Sequence, residues 1–488
     1  MNQVYSVIEE LISYAKANLG LHARNEDYVK NSIIRLLKLE AYEPTGIKSC
    51  EYSKPEALLE KFTAACVNAG IFPIEESEYY CDAVMGELML SPKAVEDEFY
   101  KIYENSSKDA TEWFYDYSVK SDYVKWAKLQ KNPRFDSNGL IVTINLAKPE
   151  FRDPKKAQSG NSVKGGYPKC TICHQNEGFA GRSKRTLRTI DLTLGGQEWF
   201  WQFSPYGYFY QHGIAVNYEH TPMHVDKGTF TRLLDFVDRF PHYFIGCNAP
   251  LPRIGGSVLA HDHYQGGGEI LPMHKASAAY ILKNPQYPDT IAEIVDWPST
   301  VFRIVSENRS EIEEICSAIN DKWVNYNDEA CGIVASDKDG VHNATSPTVI
   351  KTARGYEMSL LLRSNLTSDE YPDGIFHAHP EFHIIKKESI GLIEAQGLFI
   401  LPGRLVKELD EVENCIVNGV ALPEELSEFQ DICAEIKTLC NDDYSKENVN
   451  KATREELGSV CARILENTAV FKHKEKTVEF LKDLGFDI

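Results

Sequence analysis

The chain has 488 residues, 43% of them hydrophobic and 25% charged, the proportions of a folded protein with two to four domains or lobes. Its net charge of −20 argues against a general nucleic-acid binder, which needs a basic face to neutralise phosphates. No run of about 18 apolar residues is present to make a membrane span. The N-terminus, MNQVYSVIEELISYAKANLG, lacks a basic stretch followed by an apolar one, so no signal peptide is expected. The twelve cysteines are scattered, with one close pair at Cys170 and Cys173. That usage predicts reduced thiols in a cytoplasm.

In chain order, the first 130 or so residues read as helical. Val4, Val7, Ile8, Leu11 and Ile12 recur at helical spacing. Ser53-Lys-Pro-Glu and Ser91-Pro-Lys-Ala look like helix starts, and Gly70 can end the helix that begins near Pro55. No chemical motif falls here, and an accessory or oligomerisation role is the simpler reading. From about Gly139 the pattern changes to GLIVTINLA and QEWFWQFSP, rich in β-branched and aromatic residues. VDKGTFTRLLDFVDRF reads as a helix with Phe230, Leu233, Leu234, Val237 and Phe240 on one side. HYFIGCNAP and GGSVLAHDHYQGG return to strand character. The body is therefore expected to be α+β or α/β. DGIFHAHPEFHIIKKESIG is also strand-like and repeats His-x-His at His377 and His379, which hints at a duplicated module. The tail from about Leu422 is helical, with Thr453-Arg-Glu-Glu456 as a plausible capping box.

GGSVLAHDHYQGG carries the strongest chemical signal. On a strand, His261, His263 and Gln265 would line one face, with Asp262 and Tyr264 on the other. Glycines 266–268 would let a ligand approach the backbone. A neutral imidazole is a competent nucleophile toward phosphorus near pH 7. A glutamine amide two residues on could donate to a non-bridging oxygen. A metal site, or two structural histidines on a half-buried strand, explains the local pattern equally well. Cys170-Thr-Ile-Cys173 has zinc-ligand spacing, but also fits two reduced thiols or a redox pair.

Taken together, GGSVLAHDHYQGG with Asn248 upstream, HAHPEFHIIKKESIGLIEAQGLFILPGRL and PKCTICHQNEGFAGR resemble the galactose-1-phosphate uridylyltransferase family of the histidine-triad superfamily. The likeness runs from about Asn132 to about Leu405. Asp262 stands where the shorter branch has proline, and the length and helical N-terminal region resemble the longer bacterial branch. The resemblance implies an α+β fold of two tandem histidine-triad-like halves with antiparallel sheets, plus helical N- and C-terminal regions. The expected division is 1–130 helical accessory region, 131–280 first transferase half, 281–421 second half and 422–488 helical tail.

The resemblance further implies UDP-glucose and galactose 1-phosphate as substrates, His263 as nucleophile and Gln265 as the phosphoryl-oxygen contact. Asn248 and Ser257 match positions near the α-phosphate and nucleotide. It implies zinc on Cys170, Cys173, His261 and an intermediate histidine, with His220 preferred over His224 and His174. In the shorter branch, the pair corresponding to His377 and His379 belongs to a second, structural metal site; His383 extends the row and leaves phosphate contact open. No organic cofactor is implied. The shorter branch completes its site across a dimer.

Phosphorylated substrates call for local cations, with Arg152, Arg182, Arg363, Lys386 and Lys387 as candidates. Lys387 and Glu394 lie in the segment similar to the hexose-contacting region. In EWFWQFSPYGYFYQH most rings read as core, and Tyr206 is the candidate uracil contact. Two rival readings remain: a dinucleotide phosphorylase or nucleotide hydrolase of the same superfamily, and a non-catalytic metal-binding relative.

Overall fold

A computed structural model describes residues 1–47, 49–146, 166–256 and 258–488. Arg152 and Ser257 lie outside the described residues. Six helices of eleven residues or more (Asn2–Asn18, Glu26–Leu36, Glu56–Asn68, Ser77–Leu88, Pro92–Tyr103 and Ser107–Lys120) form the N-terminal region. Val4, Val7, Ile8, Leu11 and Ile12 are all buried, as their spacing predicts. The Ser91 hydroxyl caps the helix Pro92–Tyr103 by accepting from Ala94 N. Gly70 follows Glu56–Asn68 with φ +71, the left-handed geometry that stops a helix.

The strands are β1 (Arg134–Ser137), β2 (Leu140–Asn145), β3 (Ile190–Leu194), β4 (Gln197–Phe203), β5 (Gly213–Asn217), β6 (Phe244–Gly246), β7 (His263–Gly267), β8 (Ala278–Asn284), β9 (Tyr287–Val295), β10 (Val301–Ser306), β11 (Ser336–Asp337), β12 (Gly340–Val341), β13 (Asn343–Thr352), β14 (Gly355–Ser364) and β15 (Leu398–Pro402). Ten of them make one antiparallel sheet in the order β3-β4-β5-β7-β6-β13-β14-β10-β9-β8. The fold is α+β.

Read inward from each edge, the sheet repeats itself. β3-β4-β5-β7-β6 and β8-β9-β10-β14-β13 follow one chain pattern: three strands in sequence, then the fifth strand before the fourth. A helix links the third and fourth strands in each case, Lys227–Arg239 in one half and Arg309–Val324 in the other. The halves join where β6 pairs with β13. The His-x-His motifs are not counterparts within this repeat. His263 opens the fifth strand of the first half, whereas His377 and His379 follow the end of β14.

The two linking helices pack against each other and against one face of the sheet. The Tyr264 hydroxyl accepts from Arg232 Nε at 2.6 Å, so Tyr264 points toward that helix layer. Alternation then turns His263 and Gln265 to the opposite face. The N-terminal helices share the helix-side core. Phe114 and Tyr115 pack on Phe203, with ring centroids 5.1 and 5.0 Å apart. Part of the opposite face is covered by β15 and by apolar residues such as Ile393 and Leu398.

Four sequence expectations change. The strand in GGSVLAHDHYQGG begins only at His263, and the apolar residues before it form loop. His377 and His379 lie in turns before the 3-10 turn Pro380–Phe382, because Pro380 has no N–H for a ladder. Thr453 is no cap: it sits inside the helix Lys446–Thr468 with its hydroxyl donated to Val449 O, and Ser445 caps that helix. β1 and β2 pair with β15 in a separate three-stranded sheet, not with the strands of the first half.

Candidate functional site

Cys170, Cys173, His220 and His261 converge so that their ligand atoms all lie within 4.8 Å of one another. Cys170 Sγ is 3.3 Å from Cys173 Sγ and 3.3 Å from His261 Nδ1. Cys173 Sγ is 3.2 Å from His220 Nδ1. A tetrahedral zinc ion with ordinary bond lengths sets such atoms roughly 3.5–3.8 Å apart, so the four side chains fit an ion with little movement. Asn176 Nδ2 donates to the carbonyls of both Cys170 and Cys173, at 2.8 Å each, and holds the Cys-x-x-Cys turn. His261 Nε2–H donates to Asn217 O at 2.7 Å, which leaves Nδ1 as the ligand nitrogen. The Cys170 thiol, with His261 and His220 beside it, holds the Cys173 thiolate well below the usual thiol range.

Neither rival histidine enters the cluster. His174 packs on Phe200 and Tyr218, with Nε2 3.3 Å from Glu177. His224 Nε2 lies 3.3 Å from Arg232 Nη2.

His263 Nδ1 lies 2.8 Å from the carbonyl oxygen of His261. A carbonyl can only accept, so Nδ1 carries the proton and Nε2 keeps its lone pair. Burial lowers the His263 pKa to about 4, which keeps the ring neutral. Gln265 stands two residues on, with Oε1 3.4 Å from His212 Nε2. Asn248 follows Gly246, which faces Gln265 across the β6–β7 ladder. Asn248 Oδ1 accepts from Leu392 N at 2.8 Å, while its buried Nδ2 has no partner. Asp262, where the shorter branch has proline, is fully buried, and neither of its oxygens has a hydrogen-bond partner among the described residues. Burial raises its pKa, and Arg232 nearby opposes that rise.

Gly266 and Gly267 pack tightly against neighbouring backbone. A Cβ on Gly266 would lie 2.1 Å from Phe244 O, and one on Gly267 2.3 Å from Gln211 O. Only backbone fits there.

The candidate cations divide. Arg363 is 1% exposed; its Nη2 donates to Ile390 O at 2.9 Å, and Nε and Nη1 have no partner among the described residues. Burial lowers its pKa to about 10, against the opposing charge of Glu394. Residues 390–392 thus bridge Arg363 and Asn248, leaving buried donors unpaired at both ends. Glu394 is already engaged. It pairs with Lys386 at 2.6 Å and accepts from Gly391 N and Ile400 N. Its carboxylate is thus buried and held by Lys386 and two backbone amides. Lys387 is half-buried and makes no ion pair among the described residues. Arg182 is half-buried in the 3-10 turn Ala180–Arg182. The Tyr206 ring is 42% exposed, while Trp199, Phe200, Trp201 and Phe203 are core.

Among the described residues, no third metal-ligating group joins His377 and His379. The Cys170 cluster is the one group of metal-ligand type found among the described residues. His377 Nδ1 donates to Ala378 O, His379 Nε2 to Ile375 O and His383 Nε2 to Ala378 O. The three rings tie down their own loop.

Sequence reasoning missed His212, the Asn217 carbonyl and Asn176. His212 had a faint signal, a polar residue just ahead of the alternating run GIAVN. The other two act on or through backbone oxygens and leave no pattern.

Residues 24–222 match the family described as galactose-1-phosphate uridyl transferase, N-terminal domain. Residues 236–431 match the corresponding C-terminal domain. A galactose-1-phosphate uridylyltransferase of Bifidobacterium longum subsp. longum is 54% identical, over 100% of this chain and 99% of its own length. One from Lactococcus lactis subsp. lactis is 37% identical, over 97% of each chain. Another from Halalkalibacterium halodurans is 37% identical, over 95% of each. The crystal structure of yeast Ap4A phosphorylase Apa2 aligns at a TM-score of 0.33 and 12% identity, covering 58% of this chain and 82% of that one, a likeness that carries no functional argument. The site and these matches define an enzyme of nucleotidyl transfer. More particularly, the chain belongs to the galactose-1-phosphate uridylyltransferase family, with a role in galactose metabolism.

Proposed function

We propose that the protein exchanges UMP between UDP-glucose and galactose 1-phosphate by a ping-pong mechanism through His263. The observation that carries this reading is the tautomer of His263. Its Nδ1–H is committed to His261 O, so the Nε2 lone pair is free on the same sheet face as Gln265.

The Nε2 lone pair attacks the α-phosphorus of UDP-glucose. The N–P bond forms as the P–O bond to glucose 1-phosphate breaks, and the electron pair leaves on the glucose 1-phosphate oxygen. The cationic imidazole keeps its Nδ1 proton on the His261 carbonyl. A phosphate oxygen of galactose 1-phosphate then attacks phosphorus, the N–P bond breaks, and UDP-galactose leaves. Both departing groups are stable phosphate anions, so positioning and charge stabilisation carry the catalysis. Gln265 Nε2, Asn248 Nδ2 and Arg363 are the donors for phosphate oxygens, and Tyr206 is the ring for uracil. Lys387 remains a candidate for the sugar phosphate.

Zinc suits the two-cysteine, two-histidine donor set. Bound there, it supplies structural crosslinking of the loops that carry Cys170, Cys173, His220 and His261. We place the enzyme in the cytoplasm, acting on small molecules and not on nucleic acid. A homodimer is the assembly the family resemblance favours.

The test is intact mass after mixing the protein with UDP-glucose alone. A uridylyl adduct that disappears in His263→Ala is the expected result. Release of UMP without an adduct, or no reaction with the sugar nucleotide, would overturn the reading in favour of hydrolysis or another donor.

A further inference from the structure

We propose that His212 is a positioning residue, which fixes the orientation of the Gln265 carboxamide and so determines which of its ends faces the reacting phosphate. The inference rests on the reading of Gln265 as the phosphoryl-oxygen donor.

His212 immediately precedes β5, and Ile214 of β5 lies opposite Gln265 in the ladder. By alternation His212 and Ile214 share a face, which makes His212 the diagonal neighbour of Gln265. Its Nε2 lies 3.4 Å from Gln265 Oε1. The ring stacks on Tyr208 at 4.9 Å and 22°, and packs on Phe209 at 4.6 Å. It is 3% exposed, and its Nδ1 has no partner. Among the described residues, the one side-chain hydrogen bond of this buried ring is therefore the one to Gln265. Burial also lowers the His212 pKa to about 4, so the ring is neutral.

A carboxamide has a donor end and an acceptor end of nearly the same shape. If its oxygen faced the phosphate, it would repel the charge that grows on the non-bridging oxygens. An imidazole with its proton on Nε2 donates to Oε1 and holds that oxygen against β5. The Nε2H2 group of Gln265 is then left to point toward the reacting centre. The packing against Tyr208 and Phe209 keeps the His212 ring from turning away, so the orientation is set before substrate arrives.

The test compares the single-turnover rate of uridylyl-adduct formation from UDP-glucose in five proteins: wild type, His212→Phe, His212→Gln, Gln265→Ala and the double variant His212→Phe with Gln265→Ala. His212→Phe keeps a ring to stack on Tyr208 but has no donor. It is expected to slow adduct formation about 10–100-fold, with UDP-glucose affinity within about twofold. His212→Gln places an amide N–H near the lost Nε2 and is expected to recover most of the rate. In the double variant, His212→Phe should add no further loss to Gln265→Ala, because its effect passes through that side chain. A purely structural role would add its full cost there and would not be rescued by glutamine; that result overturns the inference. A wild-type rate in His212→Phe overturns it as well. Should His212→Phe fail to fold, His212→Met serves as the donor-less variant. A wild-type rate in Gln265→Ala would instead overturn the reading of Gln265 on which the inference rests.

Discussion

His261 and His263 are joined through one backbone oxygen. The carbonyl of His261 accepts from His263 Nδ1 at 2.8 Å, while the His261 ring turns Nδ1 into the cysteine–histidine cluster. One residue thus serves the candidate metal centre with its side chain and the proposed nucleophile with its main chain. Loss of the centre should be felt at His263 without any direct contact.

Cys173→Ser is therefore expected to lower both metal content and activity. Elemental analysis should find about one zinc per chain in the wild type and far less in the variant. Activity should fall about tenfold or more, the scale of losses at supporting shells of metal sites. Fully active, metal-free protein would contradict this.

Asn248 separates two duties within one amide. Its Oδ1 holds Leu392 N, and its Nδ2 is unpaired. Asn248→Asp keeps the acceptor, removes the donor and adds a negative charge. Steady-state kinetics should show kcat/KM reduced about 100-fold, and the thermal midpoint should fall because the added charge is buried. Asn248→Ala should lower both. A wild-type kcat/KM in Asn248→Asp would argue that Nδ2 meets no substrate.

The Lys386–Glu394 pair is buried on both sides, with side chains 2% and 6% exposed. Lys386 also meets Glu388 at 3.1 Å, so neutralising Glu394 leaves the Lys386 charge partly compensated and is expected to cost about 1–3 kcal/mol. Urea unfolding of Glu394→Gln should show a loss on that scale. The paired change Lys386→Met with Glu394→Leu should recover part of it. If Glu394→Gln instead kept its stability and changed only KM for the hexose phosphate, Glu394 would be a sugar contact.

His274 offers a pH test away from the site. It is fully enclosed and shares a 2.7 Å bond with Gln396 Oε1, and burial lowers its pKa to about 4. In the unfolded chain the group returns to about 6.5. Between those values the unfolded state binds the extra proton, so stability falls as pH drops from about 6.5 toward 4. His274→Gln should remove about one proton from the uptake on unfolding at pH 5. The pH dependence of urea midpoints measures it, and an unchanged slope would refute the assignment.

The chain order of side chains made much of this protein legible before folding. Val4 to Ile12 declared a buried helix face, and Ser91-Pro92 declared a helix start, because caps and 3.6-residue periodicity are local properties. His263 and Gln265 could be placed on one face because strand alternation is also local. Motif likeness favours His220 over His174 and His224, and the fold brings His220 to the two cysteines.

Other features needed the tertiary structure. Thr453 has every local feature of a cap, yet it lies inside a long helix because Ser445 starts that helix earlier. His377 and His379 repeat the spacing of the first motif, but Pro380 and the end of β14 put them in turns. The pairing of Lys386 rather than Lys387 with Glu394 depends on a rotation of one residue along an irregular loop, which spacing alone does not fix. The repeat of the sheet is visible only in strand order, since its two halves share topology rather than motif. The sequence by itself determined the family, the helical regions and the identity of the proposed nucleophile. Only the tertiary structure decided which nitrogen of His263 is free and which side chain meets Gln265, because each is a contact between residues far apart in the chain or a hydrogen bond to a backbone oxygen.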